Sequence, residues 1–333
     1  MEVKQNEVLL EVLNLKKYYK LKKSFLKKEQ SYVKSVDGVS LKIKENTILG
    51  LVGESGCGKS TIGKTILGLT NPSGGSVIYK DKTLFDVEQN VKLSKKEMVK
   101  LRKELQIIFQ DPYSSLNPRN NEGHIVSEGI KKHNIVPKAQ IEKEVEEIIT
   151  LCGLDKSSVY KYPHEFSGGQ RQRIGIARVL AMKPKFIICD EPTAALDVSI
   201  QSQILNLMLD IKDQFGLTYL FISHNFEVVK SFCDEIAVMY LGELVEYGDS
   251  KKIYNNPKHP YTKALISSIP IKHPTEKKER IILNGFIPSS IDIPNGCRFH
   301  TRCPNVMEIC KNKVPQKTIL EDQRTIYCHL YNC

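Results

Sequence analysis

A glycine-rich loop with the spacing of a phosphate-binding site lies in the N-terminal part of the sequence. Residues 53–61 read GESGCGKST, which fits the pattern of Gly, any four residues, Gly, Lys and then Ser or Thr. In such a loop, backbone N–H groups point at phosphate oxygens, a lysine reaches the β- and γ-phosphates and a hydroxyl binds Mg²⁺. The sequence therefore predicts a nucleoside triphosphate site formed by Gly53, Glu54, Ser55, Gly56, Cys57, Gly58, Lys59, Ser60 and Thr61.

Two adjacent carboxylates follow a later apolar run, FIICDE at 186–191. Chemistry in α/β folds is placed at the carboxyl ends of strands, and these two acids would stand at such an end. We expect Asp190 to organise the Mg²⁺ shell, and Glu191 to orient or deprotonate the water that attacks the γ-phosphate.

A second glycine turn precedes the helical run RQRIGIARVL. It consists of Phe166 followed by Ser167, Gly168, Gly169 and Gln170. Its hydroxyl and backbone N–H groups would stand at a helix N-terminus, where they could bind phosphate or simply cap the helix.

The elements that must position these groups are short buried strands separated by helices. The apolar runs TILGLV (47–52), QIIF (106–109), FIIC (186–189) and YLFI (219–222) predict strands. The segment VSIQSQILNLMLDIK predicts a helix with one apolar face, formed by Ile200, Ile204, Leu207, Met208 and Ile211, which we interpret as packing. The fold class is therefore α/β.

Strand signals fade between about 113 and 165, where polar helical sequence such as AQIEKEVEEIITLCGL dominates. We predict a helical subdomain inserted over about 113–180 within a nucleotide-binding domain at 1–250. After about 250 the segments NNPKHPYTK and IKHPTEKKE favour an extended linker that leads to a small cysteine-containing extension, 251–333.

Composition excludes a membrane-spanning protein and leaves several partners open. The 333 residues are 41% hydrophobic and 26% charged, with a net charge of +11. No stretch approaches the roughly 18 to 20 apolar residues that cross a bilayer, and the start MEVKQNEVLL is unlike a secretion signal. We therefore expect a cytosolic chain whose lysine-rich stretches (16–28, 92–103 and 272–280) are solvated faces.

Five separated motifs resemble those of the ATP-binding-cassette (ABC) ATPases. They are the phosphate loop, Gln110 after QIIF, FSGGQRQR, CDEPTAALD and the ISH at 222–224, in family order over about residues 8–250. The resemblance implies a P-loop NTPase fold and a head-to-tail dimer in which each ATP lies between the phosphate loop of one subunit and the signature motif of the other. Ser167, Gly168, Gly169 and Gln170 would then contact the partner's ATP.

Other roles implied by the resemblance carry over residue by residue. Gln110 would contact Mg²⁺ and the water, Asp197 would cross the dimer interface, and His224 would contact the γ-phosphate and assist Glu191. Tyr19 is the expected platform for adenine, with the adjacent Tyr18 as the alternative. The chain departs from the family pattern after the histidine, where Asn225 stands in place of Asp.

Further segments resemble the oligopeptide and dipeptide importer branch, some of whose members move nickel or other solutes. They are QDPYSSLNPR (110–119), the insertion between Tyr19 and Val33, HPYTKALISSIP (259–270) and GCRFHTRCPNVMEIC. Residues 120–123, NNEG, are more polar than this branch leads us to expect. The resemblance implies two membrane permease subunits, a second ABC ATPase of different sequence and an extracellular binding protein as partners, at the cytoplasmic face of the cell membrane.

Nine cysteines without a secretion signal argue against a disulfide framework. Four of them could form a tetrahedral zinc site or ligate a four-iron cluster: Cys297, Cys303, Cys310 and Cys328. No Cys-x-x-Cys pair is present, and Cys333 is the poorest candidate. The resembled branch has members with a [4Fe-4S] cluster at these positions, so we favour that ligand over zinc or free thiols.

Two rival functions remain. A cassette ATPase acting on ribosomes or DNA would suit the net charge, but such proteins generally carry two cassettes or a long coiled coil, and the sequence has neither. A regulatory subunit with an idle ATP site is disfavoured because Glu191 and His224 are both present. The sequence therefore favours an ATP-hydrolysing importer subunit, with ATP and Mg²⁺ as cofactors and no nucleic acid partner.

Overall fold

The computed structural model describes residues 7–21, 30–270 and 279–331. Cys333 and parts of the lysine-rich stretches 16–28 and 272–280 lie outside the described residues, as does most of the insertion after Tyr19. The strands are β1 Val8–Lys20, β2 Tyr32–Lys44, β3 Ile48–Val52, β4 Gly74–Tyr79, β5 Lys82–Asp86, β6 Val91–Lys92, β7 Leu105–Ile108, β8 Phe186–Asp190, β9 Thr218–Ser223, β10 Glu235–Tyr240, β11 Glu243–Asp249, β12 Lys317–Ile319 and β13 Thr325–Tyr327.

Eleven α-helices are present in the described ranges. They are α1 Lys59–Ile66, α2 Lys95–Leu101, α3 Pro112–Ser115, α4 Glu122–His133, α5 Ile141–Leu151, α6 Gly168–Leu180, α7 Val198–Phe215, α8 Phe226–Phe232, α9 Ser250–Asn255, α10 Pro260–Ser267 and α11 Glu308–Asn312. Short 3₁₀ turns cover Lys138–Gln140, Lys156–Tyr160, Pro163–Glu165, His300–Arg302 and His329–Tyr331. This mixture confirms the predicted α/β class, and the four strands predicted from apolar runs are confirmed as β3, β7, β8 and β9.

The chain divides into two compact units. The first unit contains residues 94–221, and the second contains residues 7–93 and 222–331. This division follows spatial contacts and differs from the predicted boundary near residue 250, which stays a prediction.

The first unit combines parallel strands with a run of helices. Its strands lie in the order β9, β8, β7, and β7 pairs with β8 in parallel from Leu105 opposite Phe186 to Ile108 opposite Cys189. All five residues of β8 are buried, as expected for a strand covered on both faces. Between β7 and β8 the described chain forms only helices and turns, α3 to α6.

The second unit contains two sheets. One is antiparallel in the order β2, β1, β4, β5, β6, and its long β1 and β2 pair from Val8 opposite Lys44 to Lys20 opposite Tyr32. The other has the order β12, β13, β11, β10, β3, with β10 and β3 parallel. The antiparallel sheet was not predicted from the sequence.

The extended linker predicted after residue 250 is wrong over the described segment 250–267. That segment forms α9 and α10. Pro260, which we interpreted as a linker residue, occupies the first turn of α10, where its missing N–H costs nothing, and the side chain of His259 caps the helix. The sequence beyond α11 then forms two strands, β12 and β13. The second of them pairs with β11, from Glu246 opposite Ile326 to Tyr247 opposite Thr325.

Candidate functional site

The predicted phosphate loop connects β3 to α1 in the second unit. Gly58 stands at the N-terminus of α1 with a φ of 108°, and a Cβ atom there would approach the Ser35 carbonyl oxygen to 2.0 Å. Only glycine fits this position. The Lys59 side chain is buried, and its ammonium donates hydrogen bonds to the carbonyl oxygens of Gly53 at 2.8 Å and Glu54 at 3.1 Å. The loop therefore holds a positive charge at a helix N-terminus, which suits an anion such as a triphosphate.

The remaining loop residues differ in exposure. Ser55 and Gly56 form the exposed tip, while Ser60 and Thr61 are half-buried in the first turn of α1. The Thr61 hydroxyl accepts a hydrogen bond from Ser35 at 2.9 Å. Cys57 is buried, and burial raises the pKa of its thiol. Cys57 is therefore a packing residue of the loop and not a nucleophile.

The two carboxylates stand at the end of β8 in the first unit. Asp190 is buried, whereas the next residue, Glu191, is half-buried and has a φ of 48°. A glutamate in this left-handed region is strained, and such strain is typical of functional positions. The amide nitrogen of Gln110 donates a hydrogen bond to the Glu191 carboxylate at 3.1 Å, so the structure brings together two residues that lie 81 positions apart.

The second glycine turn caps α6. The Ser167 hydroxyl accepts the Gln170 N–H at 3.3 Å, and the Gln170 side chain accepts the Ser167 N–H at 2.9 Å. Ser167, Gly168 and Gln170 are exposed, and Gly169 packs too closely on Ile200 to admit a side chain. This capping box preorganises the start of the helix and leaves its face open to a partner.

Tyr18 and Tyr19 occupy different environments on β1. The Tyr18 hydroxyl donates a hydrogen bond to Asp37, and burial together with this carboxylate raises its pKa. Side chains alternate along a strand, so Tyr19 projects to the other face, where 39% of its surface is exposed. Of the two rings, Tyr19 is the one available for stacking.

His224 and Asp197 are both exposed near strand and helix ends. His224 follows β9 directly, and Asp197 precedes α7 without a capping hydrogen bond from its side chain. Asn225 caps α8, since its side-chain oxygen accepts the N–H groups of Glu227 at 3.0 Å and Val228 at 3.4 Å. An aspartate would cap the same helix, so the departure from the family pattern preserves the local structure.

The four tail cysteines lie within electrostatic range of one another. Burial, together with a smaller effect of the other three thiols, raises the pKa of Cys297 to about 12. The Cys297 N–H donates a hydrogen bond to the Cys310 carbonyl at 2.8 Å. Within the described ranges, no three His, Cys, Asp or Glu side chains are grouped closely enough to hold a metal ion. The four thiols are enough donors for a thiolate-ligated group, but in the described residues they are not gathered into a site.

Sequence reasoning missed the contacts that C-terminal residues make with the phosphate loop. Arg302 forms two hydrogen bonds with the Glu54 carboxylate, and the Tyr261 hydroxyl accepts the Glu54 N–H at 2.9 Å. These partners are more than 200 positions away in the chain, and no local pattern connects them.

Comparison with known proteins identifies the family of the chain. The profile of the family described as ABC transporter matches residues 36–194, and that described as oligopeptide/dipeptide transporter, C-terminal region, matches residues 245–310. The chain is 45% identical over 334 residues to the oligopeptide transport ATP-binding protein AppF of Bacillus subtilis strain 168, with all of both chains covered. It is 43% identical to the dipeptide transport ATP-binding protein DppF of Haemophilus influenzae, with 98% of each chain covered.

The chain belongs to the ABC transporter ATPases.

Solved structures agree with this assignment. The ABC ATPase resembles cbiO1 of Clostridium perfringens, part of the ABC transporter complex cbiONQ, with 28% identity and a TM-score of 0.62 over 75% of this chain and 92% of that one. It also resembles the dimeric ATP-binding cassette MJ0796 in a post-hydrolysis state with ADP and Pi, with 27% identity and a TM-score of 0.62 over 73% and 99% of the two chains. In the described part of the ABC ATPase, no helix is both long and apolar enough to cross a membrane.

Proposed function

We propose that this ABC ATPase powers an importer of oligopeptides or dipeptides, or of related small solutes such as nickel. The observation that carries this proposal is the match of residues 245–310 to the C-terminal region of oligopeptide and dipeptide transporters. The relatives named for oligopeptide or dipeptide transport also align over nearly the whole chain, so the resemblance is not confined to the ATPase core. The match therefore favours a transporter over a cassette that acts on ribosomes or DNA.

ATP binding is assigned to the second unit. Tyr19 stacks on adenine, backbone N–H groups of residues 53–58 receive the phosphate oxygens, and Lys59 pairs with the β- and γ-phosphates. The geometry supports this assignment because the Lys59 ammonium already lies at the loop, where it contacts the carbonyl oxygens of Gly53 and Glu54 and the sulfur of Cys57. Ser60 and Asp190 would supply oxygen ligands for Mg²⁺, and the bound ion would neutralise charge on the transferred phosphoryl group.

Hydrolysis is assigned to Glu191, with help from Gln110 and His224. Glu191 accepts a proton from the attacking water or orients it, Gln110 holds the carboxylate and the water, and His224 contacts the γ-phosphate. The hydrogen bond between Gln110 and Glu191 supports this division of roles. The signature residues Ser167, Gly168, Gly169 and Gln170 act on the ATP of a partner ATPase, across an interface that includes Asp197, so that binding closes the dimer and hydrolysis opens it.

The partners follow from this function. Two integral membrane permease subunits would hold the ATPase at the cytoplasmic face of the membrane, a second ABC ATPase of different sequence would complete the dimer, and an extracellular binding protein would deliver the solute. No nucleic acid partner is needed. We also propose that the chain consists of a nucleotide-binding domain at 1–250, with a helical subdomain inserted at about 113–180, and an extension at 251–333.

Affinity purification from native membranes in a mild detergent, followed by mass spectrometry, tests the proposal. Recovery of two membrane subunits and a second cassette ATPase is the expected result. A Glu191→Gln variant purified in parallel is a useful control, because slow hydrolysis should hold the ATPase dimer closed. Recovery of ribosomal or DNA-bound proteins without membrane subunits would contradict the importer and favour the non-transport alternative.

The finer proposal for the tail is that Cys297, Cys303, Cys310 and Cys328 ligate a [4Fe-4S] cluster. The presence of four thiols within 32 positions of the chain supports it. The high pKa of Cys297 and Cys328, about 12 and about 11, means that a metal would have to displace their protons. Such a cluster would supply a structural or redox-sensitive centre and take no part in hydrolysis.

Anaerobic purification and iron analysis test the cluster. We expect about four iron atoms per chain and a brown colour, both lost in Cys303→Ser. Cys152→Ser, which changes a buried thiol outside the tail, should leave iron unchanged. Zinc in place of iron, or equal iron in both variants, would contradict the cluster.

A further inference from the structure

Every polar group of Glu54, the second residue of the phosphate loop, forms a hydrogen bond. Its N–H donates to the Tyr261 hydroxyl at 2.9 Å, and its carbonyl oxygen accepts from the Lys59 ammonium at 3.1 Å. Its carboxylate receives two hydrogen bonds from Arg302, Nη1 to Oε2 at 2.8 Å and Nη2 to Oε1 at 3.1 Å. The conformation of the loop at this residue is therefore fixed from outside the loop.

Arg302 belongs to the cysteine tail. It ends the 3₁₀ turn His300–Arg302, next to Cys303, and only 8% of its side chain is exposed. The turn is anchored by Phe299, whose ring is 5.2 Å from that of Tyr240 and 5.4 Å from that of Tyr261. These aromatic contacts form a rigid base from which the guanidinium reaches the loop.

A carboxylate in this position should weaken ATP binding unless its charge is balanced. Glu54 is one residue from Gly53, inside a loop whose task is to attract a polyphosphate, and its side chain is 23% exposed. An unbalanced negative charge there would repel the phosphates, since the electrostatic attraction of the loop depends on Lys59 and the N–H groups. A planar guanidinium that binds the carboxylate with both terminal nitrogens cancels the charge and fixes its position.

We propose that Arg302 is a positioning residue for ATP: by holding and neutralising Glu54, the C-terminal extension completes the phosphate loop of its own chain. The proposal rests on the ATP-binding role of residues 53–61 and is independent of the transported solute. It gives the extension a direct part in nucleotide affinity, beyond any part in recognising a partner.

A purely structural role for the pair makes a different prediction. If Arg302 only tethers the tail, its loss should lower stability whatever stands at position 54. If it neutralises Glu54, removal of the carboxylate should compensate for removal of the guanidinium. A double-mutant cycle with Arg302→Met and Glu54→Gln separates the two.

The experiment measures binding of a fluorescent ATP analogue and steady-state hydrolysis by the full-length chain, with thermal unfolding of each variant. For Arg302→Met we expect ATP affinity to fall about tenfold, with KM raised and kcat nearly unchanged, because a charge-assisted pair is lost and a bare carboxylate remains. Arg302→Lys should lie between wild type and Arg302→Met. Lys311→Met, which removes an exposed ion pair with Glu308 in the same tail, is the matched control and should not change affinity.

The ATP affinity of the double variant decides between the two roles. Glu54→Gln leaves the Arg302 guanidinium without its carboxylate beside the loop and should bind ATP more tightly than wild type, and the double variant should regain most of the affinity lost in Arg302→Met. A double variant as weak as Arg302→Met, or a tenfold loss in Glu54→Gln alone, would overturn the proposal. The Glu54→Gln arm remains informative even if Arg302→Met does not fold, and all of these readouts are independent of whether permease subunits are found.

Discussion

At the scale of single residues, the proposed function makes Glu191 the side chain on which hydrolysis should depend most. Its backbone is held at a φ of 48°, and its carboxylate accepts a hydrogen bond from Gln110. We expect Glu191→Gln to bind ATP normally while hydrolysis falls by about a hundredfold or more, because an amide cannot accept the proton of the water. Nucleotide binding and phosphate release, measured on one preparation, check this. Wild-type turnover would remove Glu191 from the mechanism.

Adenine recognition is a second residue-scale question, because the sequence offered two adjacent tyrosines. We expect Tyr19→Ala to weaken ATP binding by about tenfold or more, since base stacking on an aromatic ring contributes about 1–3 kcal/mol. Tyr19→Phe keeps the ring and should bind as wild type. Tyr18→Phe removes the hydrogen bond to Asp37 and should affect stability more than affinity. Equal losses in Tyr18→Phe and Tyr19→Ala, measured by titration with ATP, would contradict the assignment.

Residue types and spacing predicted the local motifs well, because each motif is continuous in the chain and its chemistry depends on neighbours. The phosphate loop, the capping box at Ser167 and the acids after β8 are of this kind. The bond from Arg302 to Glu54 could not be predicted, because it joins residues 248 positions apart and depends on how the tail folds. The choice of Tyr19 over Tyr18 stays a prediction, and the hydrogen bond from Tyr18 to Asp37 on the neighbouring strand, which favours it, could not be seen in the sequence.

At the scale of elements, prediction succeeded where an element is buried on both faces or amphipathic. The apolar runs became β3, β7, β8 and β9, and the apolar faces of α5 and α7 are buried through Ile148, Ile149, Ile204, Met208 and Ile211. The antiparallel sheet was not predicted because β1 and β2 are rich in exposed lysines and their pairing is set by partners elsewhere in the chain. The linker assigned after residue 250 was wrong because proline was interpreted as a breaker where it starts a helix.

The cap of α10 gives a pH-dependent prediction at this scale. His259 is buried, and its Nδ1 accepts the Tyr261 N–H at 3.1 Å, so only the neutral ring can act as the cap. Burial lowers the pKa of His259 to about 3, against about 6.5 in the unfolded chain. A depressed histidine pKa means that the unfolded state binds more protons below pH 6.5. The stabilisation is therefore complete above that pH and lost as the pH falls from about 6.5 towards 3.

Unfolding in urea at pH 7.5, 6.5 and 5.5 measures this effect. Between pH 6.5 and 5.5, wild type should lose about 1 kcal/mol more free energy of unfolding than His259→Asn, in which a neutral oxygen can replace the cap at every pH. His300→Asn, which changes another histidine of the extension, is measured in parallel. Parallel pH profiles for wild type and His259→Asn would show that His259 is not the titrating group.

At the scale of the whole molecule, the C-terminal extension is bound into the second unit by buried charge as well as by strands. Arg324 is 1% exposed and contacts Glu246 of β11 at 3.2 Å, while β13 pairs with the same strand. Neither feature was visible in the sequence, where the extension was predicted to be a small appendage. Because Tyr261 and Arg302 both bind Glu54, folding of the extension should influence the conformation of the phosphate loop within the second unit.

The composition of the ATPase dimer gives the last prediction. In a head-to-tail dimer each site takes its phosphate loop from one chain and its signature motif from the other, so Lys59→Ala and Ser167→Arg abolish different halves of a site. If two copies of this chain paired, mixing the two variants would create one intact site in the mixed dimers, and roughly a quarter of wild-type ATPase activity would return.

We expect no such recovery, because the proposed function pairs this chain with a second ATPase of different sequence. Mixing each variant with the second ATPase recovered from membranes should instead restore one of the two composite sites. The measurement is phosphate release over a range of protein concentrations, with wild-type chain alone as the reference. Recovery of activity in the mixture of Lys59→Ala and Ser167→Arg alone would show that the chain is a homodimer and would remove the need for a second ATPase.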